Sequence, residues 1–587
     1  MCGIFLAFSK KKSLNKKICD VAIKDLFNRG PDSLKFNYFF NEKLFIANTI
    51  LSITGNFKKS SNLNVSKNNN FYVSFNGEIY NYQDLNNQYL EKKYTNDTEV
   101  LVNLHEKLNF NQIPHLLNGM FAYAILNKSK KIIKIVTDTQ GEKNIYYINN
   151  SDYFIVSSTI KSIISFLKNS KIRIELDEEV LKNYFTTRHY MPIKKTCFKN
   201  IKILENSQIL KFDLNNSKIN ITKYDDPLNW ISENKYNEYS KISENELIDK
   251  IDFELNKQAK IMIPNKKFGT VFSGGIDSSL QSAILAKHGD PSIYLNINHV
   301  KKDKINKKFS LFSKFINNKK IKIKNINSKI YENFTYKCNK VILSPLFTHD
   351  LPSRMFLSEE FKNNNCKVFF SADGCDELLG GQQVYLNSFN KIKIKKNYSP
   401  YTSTDKSYFL KNFKMLNYYK KLLDDTWNKA YKNYSFIENK KEQSIMSSLF
   451  SDYFIQSIYV ANKSTDLICC DNSVEPRNIF IQKNILKIFI NLPLKYKFNM
   501  RAENIFKQKY ILKKLFVKYF DKKLILKKEG FSGYPEVFYK KYNDLSKIIS
   551  KNEIISENKN YYDAEKYKRD LSWKISNLAL FINNEYI

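Results

Sequence analysis

Apolar and polar residues follow one another in a pattern that predicts a strand, a tight turn and a helix near the middle of the chain. A short apolar run at 267–272 precedes residues 277–288, whose apolar positions recur at helical spacing until Gly289 ends the helix. Between the run and the helix, Ser273 to Gly275 turn the chain without a bulky side chain. Such a turn exposes backbone N–H groups at a helix N-terminus, which predicts an anion-binding loop.

Two further strand-like runs follow at 292–297 and 320–326, with helical stretches between them. Strands that alternate with helices predict a parallel sheet with helices on both faces. Ligands of such sheets bind at the carboxyl ends of the strands, where the turn at Ser273 lies.

The first half of the chain has a different pattern. Strand-like runs at 132–136, 145–148 and 153–157 precede a helix-like segment at 177–184. Residues 198–211 predict a closing hairpin. A polar segment that includes Asp225, Asp226 and Pro227 and continues to Ser243 then predicts a linker, with the boundary near 210–240.

Composition limits the class of protein. A chain of 587 residues is too long for one core and predicts two or three domains. The net charge is 95 − 58 = +37 and the isoelectric point is about 9.5. The basic residues are overwhelmingly lysine, without an arginine-rich patch, so we interpret the excess as solvated lysine rather than a nucleic-acid surface. Nonspecific binding of polyanions at low salt is still expected.

The eight cysteines include no C-x-x-C pair and no companion histidine spacing, so neither a zinc site nor a disulfide framework is predicted. The apolar start is too short for a signal peptide, and no apolar run approaches about 18 residues. We therefore expect a soluble cytoplasmic protein without a membrane partner.

The predicted anion loop resembles the pyrophosphate-binding loop S-G-G-x-D-S of ATP pyrophosphatases, which split ATP into AMP and pyrophosphate. Its spacing differs from both the Walker A loop and the dinucleotide fingerprint. The resemblance implies that Asp277 is a magnesium ligand. An ordinary capped Gly-Gly turn is the alternative interpretation. The residues that the resemblance places at ATP are Phe272, Ser273, Gly274, Gly275, Asp277, Ser278 and Ser279.

Cys2 is a candidate nucleophile. Removal of Met1 is sterically easy before a small residue, and it would leave Cys2 with both a thiol and a free α-amine. An α-amine has a pKa of roughly 7.7 to 8.0, so a neutral fraction can take the thiol proton near pH 7. One residue can then serve as nucleophile and base.

Several separate motifs follow Cys2-Gly3-Ile4 in a recognisable order. They are Arg29-Gly30-Pro31-Asp32, Phe75-Asn76-Gly77-Glu78, Asn96-Asp97-Thr98-Glu99 and Asn118-Gly119-Met120-Phe121. Together they resemble the glutaminase domain of class II glutamine amidotransferases. With the pyrophosphate loop and later motifs, nearly the whole chain resembles a glutamine-hydrolysing asparagine synthetase. The resemblance implies a four-layer N-terminal-nucleophile domain, then a doubly wound parallel-sheet ATP pyrophosphatase-like domain with a helical C-terminal part.

The resemblance assigns roles in the first domain residue by residue. Cys2 attacks the side-chain amide of glutamine, and Glu78 and Asp97 hold its α-amine. The side-chain amide of Asn76 and the backbone N–H of Gly77 form an oxyanion hole, since a tetrahedral oxyanion needs two fixed donors. An Asn-Gly pair is also typical of a hairpin turn, and the two interpretations are compatible.

One position departs from this family. Ile50 stands where the family places an arginine that pairs with the α-carboxylate of glutamine, and isoleucine cannot form that ion pair. We therefore expect weakened glutamine capture, partial rescue by a lysine such as Lys58 or Lys59, or use of free ammonia.

The segment Ser371-Ala372-Asp373-Gly374-Cys375-Asp376-Glu377 resembles the family's S-G-E-G-x-D-E. The resemblance implies that Asp376 shares magnesium with Asp277 and that Ser371 and Ala372 lie at the nucleotide. Asp373 takes the place of a catalytic glutamate and is one methylene shorter. A purely structural helix-capping role is the alternative.

The motifs after residue 377 resemble those of the family less completely. Glu475 and Arg477 resemble the family's E-x-R, which implies acceptor binding, although the usual P-F-L-D after it is replaced by 478–481. Lys509 resembles the catalytic lysine that stabilises charge on the acyl-adenylate and pyrophosphate, and residues 528–532 fit a later loop. Residues 344–350 lack the Thr-Thr-x-Arg of aspartate-using members, so the acceptor stays open.

These observations predict a glutaminase domain at 2–210, a linker at 211–240 and a synthetase domain at 241–587. The predicted function is glutamine-dependent asparagine synthesis with ATP and Mg²⁺, on small-molecule substrates. One alternative is amidation of another carboxylate, such as a surface sugar or a secondary metabolite, with ammonia as the nitrogen source. An RNA-modifying enzyme and an inactive scaffold are further alternatives, and a homodimer is one option for the oligomeric state.

Overall fold

The computed structural model describes residues 2–54, 61–184, 194–298, 312, 316–382, 385, 417–525, 533–534, 537 and 568–583. Within these residues the first half forms two six-stranded antiparallel sheets. Their strands are β1 (Gly3–Ser9), β2 (Ser33–Phe39), β3 (Leu44–Ile50), β4 (Asn64–Val65), β5 (Phe71–Ile79), β6 (Gly119–Asn127), β7 (Ile132–Thr137), β8 (Tyr146–Asn149), β9 (Tyr153–Ser157), β10 (Lys202–Ile203), β11 (Gln208–Asp213) and β12 (Ile219–Lys223).

The two sheets stack face to face. The first has the order β10-β8-β9-β1-β3-β2 and the second β12-β11-β7-β6-β5-β4. Alternate residues of β1, among them Ile4 and Leu6, meet Ala122 and Ala124 of β6 in a shared apolar core. Because alternate residues of a strand point to opposite faces, each sheet also has a second face to cover.

Helices cover both outer faces. They are α1 (Lys16–Lys24), α2 (Tyr82–Tyr89), α3 (Asp97–Lys107), α4 (Ile113–Leu116), α5 (Ile160–Asn169) and α6 (Glu178–Asn183). Helices α1 and α5 pack on the first sheet, and α3 packs on β5 of the second. The predicted four-layer arrangement is therefore confirmed.

The predicted hairpin over 198–211 is wrong. β10 pairs with β8 in the first sheet, whereas β11 pairs with β7 and β12 in the second, so the segment passes between sheets. The hairpin is formed instead by β11 and β12, and the second sheet extends to Lys223. We therefore propose that the first domain ends after β12 rather than at residue 210.

The second half is built on a parallel sheet, as predicted. Its strands are β13 (Phe268–Val271), β14 (Ile293–Asn298), β15 (Ile321–Asn325), β16 (Val368–Phe370) and β17 (Glu475–Arg477), in the order β15-β14-β13-β16-β17. All four strand pairs are parallel. The order reverses between β13 and β16, and ligands of such sheets bind at this reversal, beyond the carboxyl ends of the strands.

The helices of this half include one long π-helix, Tyr453–Asn462, between two α-helices. The α-helices are α7 (Glu233–Lys241), α8 (Glu244–Met262), α9 (Ile276–His288), α10 (Ser328–Ile342), α11 (Leu351–Asn363), α12 (Cys375–Leu379), α13 (Asn417–Asn433), α14 (Lys440–Asp452), α15 (Lys463–Asp471), α16 (Lys483–Asn491), α17 (Leu494–Lys497), α18 (Tyr510–Tyr519) and α19 (Lys568–Ile582). Among these, α9 begins one residue before the predicted start and ends at the predicted residue.

Most of the segment predicted as a linker, 211–240, is folded: it contains the end of β11, all of β12 and most of α7. Helix α8 begins with a capping box, in which the Ser243 hydroxyl accepts from the Glu246 backbone and the Glu246 carboxylate accepts from the Ser243 backbone. Asn491 donates to the backbone oxygen of Trp230, so this segment packs on the second half. None of the helices in the described part of the chain has the length and apolar run that a bilayer crossing needs.

Candidate active site

Cys2 lies immediately before β1, at the mouth of a pocket. It is half-buried, whereas the other seven cysteines are buried, and all eight are free thiols. Its backbone nitrogen donates to Oδ1 of Asn76 at 3.2 Å. Burial raises the pKa of the Cys2 thiol above its usual value. The thiol therefore needs a nearby base before it can act as a nucleophile.

Asn76 presents an unused donor beside this thiol. The residue is fully buried in β5, and its Nδ2 donates to no acceptor among the described residues. A buried amide N–H without a partner is costly, which makes a ligand oxygen at this point favourable. The predicted oxyanion-hole donor thus has no protein acceptor among the described residues.

Gly77 cannot be replaced without moving the neighbouring strand. Its φ is +138°, and a Cβ there would lie 2.0 Å from the backbone oxygen of Met120. Asn76 and Gly77 pair with Ala122 and Phe121 inside the β5–β6 ladder. The hairpin-turn interpretation of Asn76-Gly77 is therefore wrong, because the pair lies within a strand.

The predicted amine-binding carboxylates lie together in the same pocket. Asp97 begins α3, and its Oδ2 accepts from the backbone of Ile79 at 3.1 Å. Glu78 accepts from the hydroxyl of Thr54. Burial and neighbouring carboxylates raise the pKa of Glu78 to about 8, and burial raises the pKa of Asp97 to about 6. Such crowding favours a ligand that brings positive charge.

The pocket around Cys2 has a volume of about 360 Å³, which is in the range of small-molecule sites. Ile50 lines it, as the departure from the family predicted. Lys58 and Lys59 lie outside the described residues. Lys35 also lines the pocket, and sequence reasoning missed it.

Lys35 is held on the same face of the sheet as Ile50. In the β2–β3 ladder Ser33 is opposite Ile50 and Lys35 is opposite Asn48, so the four side chains share one face. Lys35 is only 5% exposed, and its Nζ donates to Oδ1 of Asn64 at 3.0 Å. The alternation along β2 was the only sequence signal that could have identified it.

The loop after β13 has the geometry of an anion cradle. Gly274 has a φ of +70°, and Gly275 caps α9. The hydroxyls of Ser273 and Ser278 lie 2.8 Å apart, and Ser278 accepts from the Ser273 backbone. The Ser279 hydroxyl is buried without a partner among the described residues. The helix N-terminus and these hydroxyls would together suit a phosphate.

Lys509 brings the two predicted magnesium ligands together. Its ammonium contacts the carboxylates of both Asp277 and Asp376. Lys509 has a φ of +49°, an uncommon conformation for a non-glycine residue. A Cβ on Gly381 would lie 2.0 Å from Asp376 Oδ1 and from Lys509 Cε, so only glycine leaves room for this contact.

These carboxylates suit magnesium. Hard oxygen ligands are what Mg²⁺ prefers, and it is commonly held by one or two carboxylates together with substrate phosphates. Asp277 and Asp376 converge beside the anion cradle after β13, which satisfies this requirement. Although burial disfavours the charged amine, the two carboxylates raise the pKa of Lys509, so the amine stays protonated.

The loop after β16 lies beside this cluster. The backbone N–H of Ser371 donates to the backbone oxygen of Arg477 at 2.8 Å. Ala372 packs against the main apolar core. Asp373 accepts two hydrogen bonds from Arg354, at 2.8 and 3.1 Å. Arg354 also contacts Asp350. Helix α11 thus brings a cation to Asp373, and sequence reasoning missed Arg354 because the expected Thr-Thr-x-Arg is absent.

Two domain profiles match the chain. A glutamine amidotransferase domain matches residues 1–225, and an asparagine synthase domain matches residues 258–571, more than half of the chain. The chain belongs to the asparagine synthase family.

The two relatives of this asparagine synthase family member described next have low sequence identity to it. Asparagine synthetase (glutamine-hydrolyzing) 1 of Bacillus subtilis is 27% identical over 66% of this chain and 59% of its own length. A Methanocaldococcus jannaschii protein with a provisional asparagine synthetase name is 27% identical over 68% of this chain and 78% of its own length. The solved glutamine phosphoribosylpyrophosphate amidotransferase of B. subtilis overlaps 46% of this chain and 60% of its own, at 14% identity and a TM-score of 0.28.

In this asparagine synthase family member, the E-x-R pair lies between two cavities. Glu475 lines the pocket that contains Cys2, and Arg477 lines a second cavity of about 30 Å³ with Ser371 and Asp373. Arg477 donates to Glu78 as well as to Glu475. The pair predicted to bind the acceptor thus forms the wall between the two predicted sites.

Proposed function

We propose that this protein synthesises asparagine from aspartate, glutamine and ATP, with glutamate, AMP and pyrophosphate as the other products. One observation supports this most strongly: Arg477 contacts the Cys2 pocket on one side and the Asp373 cavity on the other. Nitrogen released in the first pocket would have to pass this wall to reach the second half of the protein. A single nucleophile pocket or a single nucleotide cleft would not need such a shared wall.

In the first half-reaction the Cys2 sulfur attacks the amide carbon of glutamine. Asn76 Nδ2 and the Gly77 N–H stabilise the oxyanion, ammonia leaves, and water hydrolyses the thioester to glutamate. We propose that the α-amine of Cys2 takes the thiol proton after Met1 is removed. The intact mass of the purified protein tests this removal.

Two sets of charges would orient the glutamine. Glu78 and Asp97 face its α-amine, and we propose that Lys35 takes over the pairing with its α-carboxylate that Ile50 cannot make. The expected weakening of glutamine capture is then only partial. Lysine provides a point charge rather than a fork, so the pair is less specific in geometry than one with arginine.

In the second half-reaction the carboxylate of the acceptor attacks the α-phosphate of ATP, and pyrophosphate leaves. The loop at 273–279 would hold the phosphates, and Lys509 would offset the charge that develops on the leaving group. Asp277 and Asp376 would hold magnesium, which neutralises phosphate charge. Ammonia then displaces AMP from the acyl-adenylate and gives the amide.

The decisive experiment is a product assay with ATP, magnesium and aspartate, run once with glutamine and once with ammonium. We expect asparagine and AMP in equal amounts in both. In the Cys2→Ala variant, only the ammonium reaction should remain. AMP formation that does not depend on aspartate would contradict the proposal.

A second candidate keeps the chemistry and changes the acceptor. Arg354 brings a cation to Asp373, and the two side chains already pair with each other. A carboxylate acceptor other than aspartate would fit this altered arrangement. AMP release measured with a panel of carboxylates in the absence of aspartate separates the two candidates. We also propose that the protein works in the cytoplasm, consistent with its eight free cysteines.

A further inference from the structure

Asp466 is a fully buried carboxylate where the two halves of the protein meet. It lies on α15, and both of its oxygens accept from one terminal nitrogen of Arg29 at 3.1 Å. Its Oδ2 also accepts from Nδ2 of Asn144 at 3.0 Å, and Lys143 Nζ lies 3.8 Å from Oδ1. Cys470, one turn further along α15, donates from Sγ at 3.4 Å. Three residues of the first half thus converge on one carboxylate of the second.

Arg29 links Asp466 to the backbone of the candidate nucleophile, Cys2. Its Nε donates to the backbone oxygen of Cys2 at 3.2 Å, and its side chain is 3% exposed. A guanidinium is planar and rigid, so fixing its terminal nitrogen on Asp466 also fixes the direction of Nε. The position of the Cys2 backbone therefore depends on a residue of the synthetase half.

Asp466 also borders the small cavity beside Asp373. It lines the 30 Å³ cavity together with Ser371 and Asp373. Just after α15, Asn472 donates to the backbone oxygen of Met355 at 3.2 Å and to Ser358 at 2.6 Å. Both acceptors lie on α11, the helix that also carries Arg354. Asp466 is thus joined to the acceptor side by a shared cavity and by packed helices.

We propose that Asp466 is a positioning residue that fixes Cys2 through Arg29, so that glutamine hydrolysis depends on docking of the synthetase half. The inference rests on the proposed function of Cys2. In this proposal Asp466 acts through Arg29, which already contacts both of its carboxylate oxygens. Replacing Asp466 should change the orientation of the Cys2 thiol and should leave the rate of acceptor adenylation unchanged.

The test uses the full-length Asp466→Asn variant. We expect kcat for glutamine hydrolysis to fall about 10- to 100-fold, because a small displacement of a reacting atom has effects of this size. KM for glutamine should change little, since the binding carboxylates are untouched. AMP formation with ammonium should stay near the wild-type rate.

The rate at which Cys2 is alkylated measures the exposure of its thiol without the need for glutamine. Chloroacetamide should alkylate Cys2 selectively, because the other seven cysteines are buried. We expect faster labelling in Asp466→Asn, since release of the Cys2 backbone exposes the half-buried thiol. Faster labelling together with slower glutamine hydrolysis is the signature of lost positioning.

Two further variants keep the test decisive. Tyr459→Phe removes a hydrogen bond to Glu205 at the same interface without touching Cys2, and should leave both measurements unchanged. If Asp466→Asn does not fold, Arg29→Lys gives the same test, because a lysine cannot bond Asp466 and the Cys2 oxygen together. Equal loss of the glutamine and ammonium reactions, or unchanged labelling and hydrolysis, would overturn the inference. If the wild type hydrolyses no glutamine, the proposed function fails, and the labelling rates alone decide the role of Asp466.

Discussion

Arg477 donates from a terminal nitrogen of its guanidinium to Oε2 of Glu78, 3.2 Å away and 399 positions earlier in the chain. The side chains are only 2% and 9% exposed. Nε of Arg477 donates to Glu475 at 2.8 Å. One cation of the synthetase half thus pairs with two carboxyl groups beside the nucleophile, which predicts that the halves stabilise each other.

Replacing Arg477 with methionine should lower the free energy of unfolding by about 3–5 kcal/mol, because its removal leaves the buried carboxylate of Glu475 uncompensated. Urea unfolding measures the change. Lys250→Met is a matched control, since it breaks a partly exposed pair with Glu238 and should cost about 1 kcal/mol or less. A cost for Arg477→Met no larger than that of the control would contradict the prediction.

Asn76→Leu should lower kcat for glutamine hydrolysis by about 10²- to 10³-fold, the usual effect of losing one oxyanion donor. Ammonium-driven AMP formation should be unchanged. The control is Ser74→Ala, which removes a buried hydroxyl of the same strand that donates to Ala47. Steady-state kinetics with both nitrogen sources check this prediction, and equal losses with both would refute it.

Lys35→Met should raise KM for glutamine by about 10- to 100-fold, as expected for losing a charged hydrogen bond of about 1.5–3 kcal/mol. The measurement compares KM for glutamine with KM for 4-aminobutanamide, an analogue that lacks the α-carboxylate. If Lys35 binds that group, the substitution should not affect the analogue. Lys92→Met, at an exposed lysine on the pocket rim, is the control.

Removal of divalent metal should separate the two half-reactions. A chelator should abolish AMP formation, because Asp277 and Asp376 are proposed to hold magnesium at the phosphates. Glutamine hydrolysis should continue at its basal rate, since the Cys2 pocket uses only side chains and backbone N–H groups. Separate assays of glutamate and AMP check this, and chelator-sensitive glutamate formation in the absence of ATP would contradict it.

Stability should fall as the pH rises through the neutral range. Burial and neighbouring carboxylates raise the pKa of Glu78 to about 8, above the value of roughly 4.3 for an exposed glutamate. The folded state therefore binds this proton more tightly than the unfolded state. The contribution of Glu78 to stability is fully present below its pKa in the unfolded state, and it is lost as the pH rises past about 8. Unfolding free energies at pH 6 and 8.5 should differ less in Glu78→Gln than in the wild type.

The local chemistry of the sites could be read from the sequence. The turn at Ser273 to Gly275, the parallel strands and helix α9 were predictable, because each depends on residue spacing within about one strand or helix. The positions of Cys2, Asn76, Asp277 and Asp376 followed from a family resemblance carried by several motifs. The hairpin at 198–211 was wrong because a strand pattern does not state which sheet a strand joins.

What only the tertiary structure decided is which residues meet across the two halves. Spacing along the chain carries no signal that Arg354 reaches Asp373 or that Arg477 meets Glu78, and the alternation along β2 does not state which pocket Lys35 lines. Those contacts depend on how sheets and helices pack, and burial then makes each charge depend on the one it meets. The sequence by itself determined the reactive groups, and the packing of the two halves decided how they are held and connected.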